Sequence, residues 1–129
     1  MKSFGDRLNK RAKEIEDGVT KAVREAALAI DRRVIFSTPV DTGRARANWR
    51  AAVGGPFVKE LNSTNAGEAL SQAQAAVAGS KPGQAIYISN NVPYITRLNE
   101  GSSAQAPAGF VEDALLAGKA VLAKAKVFK

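Results

Sequence analysis

With 129 residues the chain has the length of one ordinary domain, and no second folding unit is required across 1–129. It contains no cysteine and no histidine, which removes disulfides, thiolate nucleophiles, imidazole bases and nearly every zinc or iron site, so no metal or cofactor is expected. A formal net charge of +7 points instead to an anionic partner, either nucleic acid or an acidic protein surface, without choosing between them.

No apolar run approaches the roughly 20 residues that a membrane helix needs, and the first residues lack the apolar stretch of a signal peptide. A soluble chain made in the cytoplasm, with no membrane partner, is the expectation. Hydrophobic residues make up 45% of the sequence, but many are alanine, which buries little area per residue. The core should therefore be thin, and neighbouring copies should supply part of the buried surface.

From the N-terminus, Phe4, Leu8, Ala12, Ile15, Val19, Ala22, Ala26 and Ile30 recur at steps of three or four, the stripe of an amphipathic helix over 4–36. If the helix breaks anywhere, it breaks at Gly18, which costs about 1 kcal/mol relative to alanine. Unbroken, it runs about 45 Å, further than a compact domain of this size can cover. Part of its stripe, with Leu8 and Ile15 as the named candidates, is therefore expected to meet another chain.

Thr38-Pro39 ends the helix, because a residue before proline is pushed out of the α region, and Asp41-Thr42-Gly43 is turn chemistry. Over 44–53 apolar residues occupy the odd positions and Arg44, Arg46 and Arg50 even ones, which predicts a strand with an arginine comb on one face. The stretch 57–65 has no period and reads as a loop. A helix follows over 66–78, with Asn65 as its cap and Gly79 as its stop, rich enough in alanine to pack closely against something. A second strand spans 85–89, with Ile86 and Ile88 inward. A short helix over 93–100 should bury Tyr94 and Leu98, with Asn91 as a cap. After a loop, a second amphipathic helix runs over 110–127, acidic at its start and basic towards its end, as the helix dipole favours. The sheet and its loops thus occupy 44–101. The fold class expected is α+β, a small antiparallel sheet packed with a long N-terminal helix and a C-terminal helix.

Two segments carry a resemblance. The first is Ser37-Thr38-Pro39-Val40-Asp41-Thr42-Gly43-Arg44 with Ala47-Asn48-Trp49. The second runs from Ile86-Tyr87-Ile88-Ser89-Asn90-Asn91-Val92-Pro93-Tyr94 through Leu98-Asn99-Glu100-Gly101 to Gly109. Together, between a long helix and a final helix, they resemble the tail-completion or neck proteins of tailed bacteriophages. That resemblance implies an α+β virion subunit that completes the tail or joins it to the head. Asn99 departs from the acidic or other polar residue anticipated there, and the role of 66–79 is left open.

The residues themselves are compatible with this without establishing it. Asp41-Thr42-Gly43 superficially matches the aspartic-protease triplet, whose chemistry needs a second carboxylate from a symmetric dimer; a turn with Gly43 at positive φ needs nothing extra. The loop 101–109 lacks the lysine and spacing of a phosphate-binding loop, so Ser102, Gln105 and Pro107 are candidates for an assembly surface rather than a nucleotide site. The comb of Arg44, Arg46 and Arg50 could meet phosphates in a DNA channel, an acidic partner, or water, and its replacement by glutamine should leave the chain folded.

The expected function is that of a non-enzymatic structural protein, one subunit of a ring, sixfold by analogy with tails. It would reside in the virion after assembly in the host cytoplasm, in contact with head–tail connector, tail-terminator or tail-tube proteins and with non-specific access to genomic DNA. The alternative is a basic DNA-binding or packaging accessory protein, which charge alone supports.

Overall fold

The computed structural model describes residues 3–40, 42–101 and 108–125. A helix, α1, spans Phe4–Ser37 and is entered through a capping box. The Ser3 hydroxyl accepts from the Asp6 amide at 3.1 Å, and the Asp6 carboxylate accepts from the Ser3 amide at 3.3 Å. These contacts satisfy donors that a helix start leaves free and place an acid at the positive end of the dipole. Gly18 does not break the helix, which therefore extends about 50 Å. Its first buried residue is Ala22, followed by Ala26, Ala27, Asp31, Val34 and Ile35. Only the C-terminal half is held by the rest of the chain.

The predicted strand over 44–53 is corrected at its start. Arg44–Ala47 forms a helical turn, α2, and β1 spans only Trp49–Val53. Arginine and alanine are good helix formers, and the Asn48 amide N–H closes the turn onto the carbonyls of Arg44 and Ala45. Four residues of alternation were too few to distinguish one turn of helix from a strand. β1 pairs antiparallel with β2, Ile86–Asn90, in the register Trp49 to Asn90 and Val53 to Ile86. The outer edge of β1 is closed by a side chain. Gln72 donates to the Ala51 carbonyl at 2.7 Å and accepts from the Ala51 amide at 3.0 Å, doing for one residue what a third strand would do.

Gln72 belongs to α3, Ala66–Ala78, whose cap at Asn65 and stop at Gly79 match the sequence reading. Ala69, Ala73 and Val77 recur every four residues and are buried, so the alanine-rich face lies close against α1 and β1. A short helix, α4, spans Ile95–Asn99, and the last, α5, spans Phe110–Lys124. The expected capping by Asn91 is not made: its side chain donates to the Phe57 carbonyl instead, and Pro93-Tyr94 forms a turn ahead of α4. Tyr94 is exposed, and the neighbouring Val92 is buried in its place. Residues 126 and 127, in the expected last helix, lie outside the described residues.

The main core joins Val34 and Ile35 of α1, Trp49 of β1, Ala69 of α3, and Phe110 and Ala114 of α5. α5 lies against the C-terminal half of α1, where Gly118 makes the contact close. A Cβ built on Gly118 would stand 2.4 Å from two carbons of Ile30. Gly118→Ala is expected to lower stability by about 1–3 kcal/mol, as an overpacked site does, measured by denaturant unfolding.

Candidate functional site

The residues that carried the first part of the resemblance fold into a knot at the end of α1. Thr38 is fully buried, and its hydroxyl donates to the Val34 carbonyl at 2.5 Å while accepting from the indole N–H of Trp49 at 2.7 Å. Arg46 reaches back to the same helix end. Its Nη2 donates to the carbonyls of Phe36 and Thr38 at 3.1 and 3.0 Å, and its guanidinium lies 5.9 Å from the Phe36 ring centre. A cation thus meets the carbonyls that a helix terminus leaves free. Asn48 extends the knot to the following loop, donating to the Leu61 carbonyl at 2.9 Å and accepting from its amide at 2.7 Å. Gly43 turns the chain at φ +88°, where an added Cβ would approach the Thr64 carbonyl to 2.9 Å. Asp41 lies outside the described residues.

The second part of the resemblance is a set of side-chain amides that tie loops to elements. Asn90 donates to the Ala45 carbonyl at 2.7 Å and accepts from the Val92 amide at 3.0 Å. Ser89 and Asn91 both donate to the Phe57 carbonyl. Asn99 begins α5 from outside it: its side-chain oxygen accepts from the Val111 amide at 2.9 Å, and its main-chain carbonyl accepts from Gly109 at 2.8 Å. An asparagine there serves the start of α5 as an N-cap would.

The arginine comb is also corrected. Arg44 and Arg46 lie on α2 and Arg50 on β1, so they do not share one strand face, and each is engaged within the chain. Arg44 pairs with Glu60 and donates to Asn62. Arg50 is 5% exposed, donating to the Ala47 carbonyl at 3.2 Å and to Glu68 at 3.3 Å. The expectation that glutamine replacements leave the fold untouched is therefore withdrawn for two of the three. Arg46→Gln and Arg50→Gln should each cost about 1–3 kcal/mol, and Arg44→Gln less than about 1 kcal/mol, by denaturant titration.

Sequence reasoning passed over Asp31, which stands among Ala27, Val34 and Ile35 on the buried face of α1. It is fully buried, and neither carboxylate oxygen has a hydrogen-bond partner. Burial pushes its pKa up from 3.8 to about 7, against the opposing pull of the Arg50 guanidinium. The folded chain therefore holds this proton more tightly than the unfolded chain. Its contribution to stability is complete below about pH 4 and is lost as pH rises through about 7. Asp31→Asn should gain on the wild type by roughly 1–3 kcal/mol between pH 5 and pH 8, measured by parallel melts.

The assembly candidates divide. Leu8 is 57% exposed and Ile15 is half-buried, both on the part of α1 that precedes its first buried residue. Phe4 and Val19 on the same stripe are exposed at 72% and 45%. Ser102, Gln105 and Pro107 lie outside the described residues. No group of acidic residues among the described residues could hold a metal ion, and no described helix is long and apolar enough to cross a membrane.

Residues 2–113 match the family model described as "Bacteriophage HK97-gp10, putative tail-component". No curated protein and no solved structure matches the chain. The match takes in α1, the knot at its end, the sheet and the start of α5, so the chain belongs to the HK97-gp10-like family of bacteriophage tail components.

Proposed function

We propose that this tail component completes the tail or joins it to the head as one subunit of a ring of identical copies. The carrying observation is α1. Residues 3–14 are all exposed, yet Phe4 and Leu8 among them, with Ile15 just beyond, form an apolar stripe in line with the face that α5 covers further along. A free helix of about 12–15 residues is marginal in water, and a row of large apolar side chains on it gains stability only by being covered. Repeated copies of one chain, each covering its neighbour, meet that need by a heterologous contact that closes into a ring. Sixfold symmetry, by analogy with tails, and flanking connector, terminator or tail-tube proteins belong to the same proposal, as does a place in the neck of the virion.

Supporting a structural role over a DNA-binding one is the fate of the arginines. Arg44, Arg46 and Arg50 are occupied by Glu60, by the end of α1 and by Glu68, and form no basic face. The chain should accordingly show only weak duplex binding, falling steeply with salt. The decisive experiment complements a phage lacking the gene and images the particles by negative stain. Restored tailed particles with wild-type protein, and heads separated from tails without it, are expected; normal particles in its absence would end the proposal.

A further inference from the structure

Two apolar stretches of α1 and its surroundings bear on assembly. Along one side of the body, α1 floors two hollows in line, one over the half-buried Ile30 and the buried Val34, between α5 and β2, and one over Val19 and Val23, beside the turn before β2; together they make a trough. Val111 and Leu115 of α5 wall the first hollow on one side and Ile86 and Ile88 of β2 on the other, while the turn before β2 walls the second. Two hollows of about 200 and 240 Å3 lie along it, one over Ile30 and Val34 and the other over Val19 and Val23. Among the described residues, Lys81 is the one charged residue lining either hollow. The second is the arm formed by the first 15 residues of α1, exposed throughout except at the half-buried Ile15 and Gly18.

The two match in length and spacing. The arm is about 22 Å long, and the trough, from Val19 to Val34, is about 22 Å as well. The hollows are centred 11 residues apart along α1, about 16 Å, and Phe4 and Ile15 are separated by the same interval on the same stripe. Because α1 passes unbroken through Gly18, the arm cannot fold back onto its own trough. The occupant must come from another molecule.

We infer that the arm of one copy lies in the trough of another, with Phe4 and Ile15 seated in the two hollows and Leu8 between them. This deepens the ring reading and rests on it. A helix about 22 Å long and 10 Å wide covers on the order of 500 Å2 on each partner, about 1,000 Å2 in total, near the lower bound for a specific interface. Within a ring each copy makes the contact twice, once through its arm and once through its trough.

The test uses the full-length protein with Leu8→Asp to spoil the arm and Leu115→Asp to spoil the trough, each checked by thermal melt. Both positions are about half exposed, so both variants should fold. Light scattering should find the wild type larger than a dimer and each variant alone monomeric. An equal mixture should form dimers and nothing larger, since one sound arm meets one sound trough. A wild-type oligomer that ignores both substitutions would overturn the contact and leave the ring standing. A wild type that stops at a dimer, abolished by either substitution, would keep the contact and overturn the ring. A wild-type monomer at every concentration would overturn both.

Discussion

The hydrogen bond from the Trp49 indole to the Thr38 hydroxyl is the point on which the rest of the molecule hangs. Thr38 is where α1 must stop, because Pro39 follows, and a helix end left in the interior would bury unsatisfied carbonyls. The hydroxyl bonds back to Val34, the indole bonds to the hydroxyl, and Arg46 covers the carbonyls of Phe36 and Thr38. With Trp49 fixed there, β1 starts at a set place, β2 takes its register from β1, and α5 packs on the core that Trp49 shares. The polar contacts are few, but the largest aromatic residue in the chain cannot move without breaking them.

Amides do elsewhere what charges do in many small domains. Asn48, Gln72 and Asn99 each act as donor and acceptor, or as paired acceptors, towards backbone that would otherwise be unpaired. A side-chain amide carries no charge to desolvate, so it can sit in a thin core at less cost than a carboxylate. Asp31 is the contrary case, a carboxylate placed where an amide or apolar residue would be expected. The residues beside it on the buried face of α1 are small or aliphatic, and no part of it reaches solvent.

Periodicity made the long helices legible because it had many turns in which to accumulate. The stripe of α1, and the bounds of α3 between Asn65 and Gly79, could be read from residues alone. The alternation over 44–47 misled because one helical turn and one short strand place the same two alanines in the core. Tyr94 misled for a related reason: a proline licenses a helix start without fixing which neighbour turns inward. The arginines were legible as a pattern but not as a site. Their partners, Glu60, Glu68 and the carbonyls of Phe36 and Thr38, are brought to them only by the turn at Gly43 and the fold beyond it. Asp31 left no signal, since one acid in a long amphipathic helix ordinarily lies on its wet side.

A helix gripped along its second half and free along its first is a lever. The grip comes from α3, α5 and the knot at Thr38, and the free length is about 22 Å. A tilt of about 10° at the grip carries the tip by about 4 Å, close to the diameter of a methyl group. Where Phe4 comes to rest is therefore decided far from Phe4, by how tightly Gly118 lets α5 approach Ile30. Small packing changes in the body would be read out, magnified, as the angle at which one molecule addresses the next.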